Sequence, residues 1–248
     1  MLSNSKIKFI NSLKMAKYRK LHSSFFAEGS NNVLDFIENG IRPIELFATK
    51  EWLDKNSKAL EGITSHDVSP KELIKVSGLK NPSEVLAIFS SPLNEGLEID
   101  PKDNLILVLD DIHDPGNMGT IIRTADWFGI KNIVCSKSTV DAFNPKVVQA
   151  TMGSLARVGI EYYELPEWFK KLDSSINIYG AVLDGEDIGK LDKPVGGVLI
   201  IGSEAHGISD EVLKCVNKPI TIPKALTSKA ESLNAAIATS IILYSFSV

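Results

Sequence analysis

Apolar and polar positions alternate along this chain in two distinct rhythms. Residues 3–20 set Ile7, Ile10, Leu13, Met15 and Ala16 among basic positions, which predicts an N-terminal helix. Short strands and helices then follow in turn. "SFFAEG" reads as a strand and "SNNVLDFIENG" as a helix closed by Gly40. "IELFAT" and "VLAIFSS" read as strands, and "KEWLDKNSKAL" and "SPKELIKVSG" as helices. Together they predict a small α/β domain over residues 1–92. The stretch "SSPLNEGLEIDPKDN" has two prolines and no periodicity. It predicts a linker over 93–104.

The second half, 105–248, opens on the unbroken apolar run "LILVLD". Such a strand is buried on both faces, as in a parallel sheet. "NIVCS", "IYGAVLD", "VGGVLIIG" and "PITIP" are further strands, and "NPKVVQATMGSL" and "SDEVLKCV" are helices between them. The last helix, "SLNAAIATSIILYSF", carries a stripe of Leu233, Ala236, Ile237, Ile241 and Tyr244. Alternating strands and helices predict an α/β fold with a mostly parallel sheet, whose ligands bind beyond the carboxyl ends of the strands.

Charge and composition refine this picture. The 248 residues carry a net charge of −4, yet Lys6, Lys8, Lys14, Lys17, Arg19 and Lys20 all precede the first acid, Glu28. Lys14, Lys17, Arg19 and Lys20 are therefore candidates for contact with RNA phosphates, against the alternative of a solvated helix face. No apolar run is long enough to span a membrane, and the N-terminus lacks the apolar core of a signal peptide. Cys135 and Cys215 lie far apart, which suits buried thiols in a reducing cytoplasm. Four scattered histidines and two distant cysteines predict no metal site.

Three segments at strand ends carry the candidate chemistry. In "DPGNMGTIIRTADWFG", Met118, Ile121, Ile122, Ala125 and Phe128 form an apolar stripe, while Arg123 falls on the polar side, able to pair with Asp126. In "LIIGSEAHGIS", Gly202 and Gly207 bracket Ser203, Glu204 and His206. Gly202 permits close backbone approach, and Glu204 reads either as a solvated acid or as a site residue. In "ITIPKALTSKAESLN", Ser232 is placed to cap the last helix, with Asn234 in its first turn.

Taken in order, these segments resemble the three motifs of the SpoU/TrmH branch of the SPOUT RNA methyltransferases. N-x-G-x-x-x-R is present as Asn117 to Arg123, G-S-E-x-x-G as Gly202 to Gly207, and I-P followed by S-L-N as Ile222-Pro223 and Ser232-Leu233-Asn234. "KYRKLHSSFFAEG" is similar to the family's small RNA-binding domain. The resemblance implies a trefoil-knotted sheet, a homodimer and S-adenosylmethionine bound by Gly202, Ile222 and Leu233. It also implies methylation of a ribose 2′-hydroxyl, with large-subunit (23S) ribosomal RNA the first choice of target and transfer RNA the second. The alternative is a non-catalytic RNA-binding or assembly protein that keeps the fold. The chain departs from the family's pattern in the eight residues from Lys224 to Glu231, in Lys224 where a methionine is usual, and in Glu84 where a glycine is common.

The methyl of a sulfonium is already electrophilic, so the protein must supply orientation and electrostatics. The resemblance makes Arg123 the candidate base, although its guanidinium suits a phosphate better than a proton. Asn117 would orient Arg123, Glu204 would polarise a neighbouring donor, and Ser232 and Asn234 would bond the ribose or cofactor side of the site.

Overall fold

The computed structural model describes residues 2–91 and 99–247. Positions 93–98 of the expected linker lie outside the described residues. The chain resolves into two units, one of Met1–Glu95 with Asp141–Arg157 and one of Gly96–Val140 with Val158–Val248.

The first unit starts with α1 (Asn4–Ser12) and α2 (Ala16–His22). The single helix expected over 3–20 is thus broken at Leu13–Met15. Met15 takes an extended conformation (φ −102°, ψ 130°), and the break turns Arg19 back so that its Nη1 donates to the Leu13 carbonyl at 2.9 Å. Then follow β1 (Ser24–Glu28), α3 (Ser30–Glu38), β2 (Glu45–Ala48), α4 (Lys50–Lys55), β3 (Ser65–Asp67), α5 (Pro70–Ile74) and β4 (Val85–Ser90). Helix α4 stops short of the expected residue 60 because Asn56 turns its amide onto the Trp52 carbonyl at 2.8 Å. The sheet runs β1-β4-β2-β3, antiparallel except for β2 with β3. β3, all exposed, had no apolar alternation to announce it.

One apolar cluster of this unit joins Ile10, Leu13, Phe26, Phe47, Leu73 and Leu86. A second cluster stacks Phe25, Phe36 and Phe89, and Phe143 enters it with ring centroids 4.6 Å from Phe25. Phe143 belongs to the excursion Asp141–Arg157, which the strand-and-helix rhythm assigns to the second half. Its apolar residues Phe143, Val147 and Val148 draw it to the first unit instead, where Asp141 pairs with Arg19.

In the second unit come β5 (Leu105–Leu109), α6 (Pro115–Trp127) and β6 (Asn132–Ser136). Helix α7 (Pro145–Thr151) lies in the excursion. β7 (Gly159–Tyr163), α8 (Leu165–Phe169), β8 (Ile178–Asp187), β9 (Gly197–Ile201), α9 (Asp210–Leu213), β10 (Lys218–Thr221) and α10 (Ala235–Ser247) complete it. Six strands form one sheet, ordered β10-β8-β9-β5-β6-β7, and every pair is parallel. Ile106 to Leu109 and Val198 to Ile201 are all buried, so helices cover both faces, as the unbroken apolar runs predict.

Helix α10 corrects one expectation. It buries Ala235, Ala236, Thr239, Ile242, Leu243 and Phe246, whereas Leu233, Ile237, Ile241 and Tyr244 are exposed. The segment is apolar on both sides, and of the expected stripe only Ala236 is buried. No helix among the described residues is long and apolar enough to cross a membrane.

Candidate active site

Three strand ends of the parallel sheet build the site. After β5, Asp110 is buried and its Oδ2 accepts the Ser209 N–H at 2.8 Å. Asp114 then caps α6: its Oδ1 accepts the Asn117 N–H at 2.8 Å, and Pro115 takes the first helical position. This cap fixes the turn that carries Asn117.

After β9 the chain reaches Gly202. A Cβ there would lie 2.1 Å from the carbonyl carbon of Gly207 and 2.2 Å from the nitrogen of Ile208. Only glycine lets the strand end run under the returning backbone. Ser203 and Gly207 close the loop with two backbone hydrogen bonds of 3.0 and 2.8 Å, and Ser203 Oγ accepts the His206 N–H at 3.2 Å. Gly207 sits at φ +70°, which a side chain rarely adopts. The closed loop presents Glu204.

After β10 the chain passes through residues 222–233 to α10. Asn234 caps that helix, because its Oδ1 accepts the N–H groups of Ala236 at 3.1 Å and Ile237 at 3.2 Å. Ser232 is exposed and has no hydrogen bond among the described residues. Asn234, expected in the first turn, is thus the cap itself, and Ser232, expected as the cap, lies two residues before it.

The three turns converge on one carboxylate. Glu204 Oε1 accepts Asn117 Nδ2 at 3.0 Å, the Ala235 N–H at 3.2 Å, and Asn234 Nδ2. Asn234 Nδ2 also donates to Asn117 Oδ1 at 2.9 Å. Side chains 87 and 30 residues apart in sequence thus share one network. Glu204 is a bonded acceptor and not merely a solvated loop acid.

Arg123 is exposed on α6 beyond Asn117. The stripe of Met118, Ile121, Ile122 and Ala125 is fully buried and holds the helix that displays this guanidinium. Near the ends of β9 and β10, Gly202 and Ile222 are half-buried and Leu233 is exposed.

Two of the expected phosphate contacts are spoken for. Arg19 is 4% exposed. It donates to Asp141 Oδ2 through Nε at 2.9 Å and Nη2 at 2.6 Å, so it holds the excursion and not an RNA. Lys14 donates to Asn11 Oδ1 at 2.7 Å and to the Ser77 carbonyl at 2.8 Å. Burial lowers its pKa, against the raising influence of Glu28. Lys17 and Lys20 are exposed. Charge counting could not separate these four lysines and arginines, because ion-pair partners such as Asp141 lie far away in sequence. Asp110 and Asp114 were missed as structural members of the site, although an Asp-Pro pair before an apolar stripe is a helix-start signal.

Residues 104–244 match the model of the SpoU rRNA methylase family, and residues 4–87 match an MRM3-like substrate-binding domain. A Bacillus subtilis relative, the 23S rRNA (guanosine(2553)-2′-O)-methyltransferase RlmP, is 29% identical over 97% of this chain and 95% of its own length. The 23S rRNA (uridine(2479)-2′-O)-methyltransferase of Streptomyces viridochromogenes is 28% identical over 85% of this chain and 81% of its own. The crystal structure of an AdoMet-bound rRNA methyltransferase from Sinorhizobium meliloti superposes with a TM-score of 0.87 at 30% identity, covering 99% of this chain and 95% of that one. With its three motifs meeting at the strand ends and the family's model matched over more than half its length, this chain belongs to the SpoU rRNA methylase family.

Proposed function

We propose that this protein methylates a ribose 2′-hydroxyl in 23S ribosomal RNA with S-adenosylmethionine as donor, working in the cytoplasm as a homodimer. The observation that carries the reading is the joining of Asn117, Glu204 and Asn234, which welds three motif turns into one rigid site. Near full-length relatives named as 23S rRNA 2′-O-methyltransferases support the substrate class. Their targets are different nucleotides, so the choice of position belongs to each protein's own surface.

The residues at the ends of β9 and β10 suit the donor. Ile222 and Leu233 offer apolar side chains, and the peptide groups of Leu233 make no backbone–backbone hydrogen bonds among the described residues. A flat, neutral adenine with donors and acceptors on its edge fits such a lining. When bound, S-adenosylmethionine supplies an electrophilic methyl group. Glu204 holds Asn117 and Asn234 in place, and Ser232 lies open toward the ribose or the donor. The Arg123 guanidinium grips an RNA phosphate bidentately and so orients the neighbouring ribose. The hydroxyl proton passes to that phosphate or to water, since a guanidinium stays charged below a pH of about 12. Lys17 and Lys20 hold the RNA backbone. The exposed stripe of Ile237, Ile241 and Tyr244 on α10 supports the homodimer, because an apolar helix face in water favours a second copy.

Tritium transfer from labelled donor to ribosomal RNA tests the reading. Arg123→Ala is expected to lose about 10²-fold or more in turnover while donor binding by calorimetry is unchanged. Near-normal turnover in this variant, or no transfer by the wild type, overturns it.

A further inference from the structure

Helix α2 turns a mixed basic and aromatic face to solvent. Each helical residue is rotated about 100° from the one before. With Arg19 buried against Asp141, the opposite arc carries, in order around the axis, Lys20, Lys17, Leu21, Tyr18 and His22. Four of these side chains are exposed, Leu21 to 67%, and Tyr18 is half-buried.

The cations on this arc are uncommitted. Of the positive residues before Glu28, Lys6 pairs with Glu45 at 2.5 Å, and Lys14 and Arg19 are held as described above. Lys17 and Lys20 enter no ion pair among the described residues, and the Lys17 ammonium lies 5.9 Å from the centre of the Tyr18 ring. No carboxylate precedes Glu28, and Glu28 is itself turned inward to Ser77 Oγ and to the Gly78 N–H at 2.8 Å. Nothing in this stretch neutralises the two lysines.

The aromatic end of the arc is held in place. The Tyr18 and His22 rings are parallel to within 13°, with centroids 6.4 Å apart. Phe9 of α1 meets His22 edge-on at 5.1 Å. The left-handed turn at Ser23 (φ 46°) ends the helix, and Ser24 Oγ donates to the His22 carbonyl at 2.8 Å. Two near-parallel rings beside two free ammoniums call for a ligand that joins flat rings to anions, which a nucleic-acid strand does. The bases of a duplex are covered on both faces by their neighbours, so only an unpaired nucleotide can use the rings. We propose that α2 binds an unpaired stretch of the RNA substrate, with a base stacked on Tyr18 and His22, Leu21 against its sugar, and the adjoining phosphates on Lys17 and Lys20. The proposal rests on the methyltransferase reading for RNA as the partner.

The test uses the full chain with two labelled probes, a single-stranded oligoadenylate of about eight nucleotides and a blunt RNA duplex of the same length. Amide NMR with the single strand is expected to shift Lys17, Tyr18, Leu21 and His22. By fluorescence anisotropy, Tyr18→Ala should weaken the single strand about tenfold, as for one lost base stack, and leave the duplex affinity unchanged. Tyr18→Phe should bind as the wild type does, and the exposed His22→Ala should lose about threefold, which keeps the test open should Tyr18→Ala melt early. The slope of log affinity against log salt should stay constant in Tyr18→Ala, because a stacked ring releases no counterions. Wild-type affinity for the single strand in both alanine variants, equal losses for single strand and duplex, or unshifted α2 amides would each overturn the proposal. Failure of the methyltransferase reading shows separately, as absence of tritium transfer by the wild type whatever these titrations give.

Discussion

Replacing Gly202 by alanine tests the geometry of the site most directly. The added Cβ would meet three backbone atoms, the carbonyl carbon and oxygen of Gly207 at 2.1 and 2.3 Å and the Ile208 nitrogen at 2.2 Å. Comfortable carbon contacts begin near ~3.5 Å, so the returning backbone must retreat by about 1.3 Å. No side-chain rotation relieves such a clash. The retreat breaks the two Ser203–Gly207 hydrogen bonds, worth about 1 kcal/mol each. Residual overpacking adds about 1–3 kcal/mol where the loop resists. A loss of about 3 kcal/mol lowers the melting temperature of a chain this size by about 6–12 °C. The same displacement carries Glu204 away from Asn117 and Asn234, so donor affinity should fall with stability. Thermal unfolding by circular dichroism and calorimetric titration with S-adenosylmethionine give the two readouts. A variant that melts with the wild type and binds the donor equally well would refute the close backbone crossing on which this account of the site depends.

Four other outcomes follow from particular residues. Asn234→Ala removes the cap of α10 and should cost about 0.5–2 kcal/mol in urea unfolding, with kcat falling more than donor affinity because the Glu204 network loses its link to that helix. Arg19→Met strands the Asp141 carboxylate and should cost about 3 kcal/mol of stability. By contrast, Lys17→Ala with Lys20→Ala should leave melting unchanged and flatten the slope of log binding against log salt by about 1–2 in filter binding to ribosomal RNA. The Glu72 carboxyl is held down at about 2, first by the N–H groups of Ser69 and Leu2 and then by the Ser69 hydroxyl. Because the folded value lies below the ordinary 4.5, its stabilisation is complete above pH 4.5 and disappears as pH falls toward 2. The melting difference between wild type and Glu72→Gln should narrow across that window, and a constant difference would contradict the assignment.

Much of the second unit was legible from the chain alone. Short unbroken runs such as "LILVLD" suit strands covered on both faces, and small or acidic residues at their ends mark the turns where ligands bind. The three motifs therefore named Asn117, Arg123, Glu204 and Asn234 without coordinates. Sequence could not decide which of these touch. Only folding brings Glu204 to Asn117 and Asn234, and hydrogen bonds form between positions in space and not between positions in a list of residues. The same reason explains the errors. Arg19 reads as a free cation until Asp141 is found against it. Residues 141–157 read as part of the sheet domain until Phe143 is seen among Phe25, Phe36 and Phe89. Local patterning determined the elements and the kinds of residue at their ends. Tertiary structure decided partnership, because burial and pairing depend on what the rest of the chain brings near.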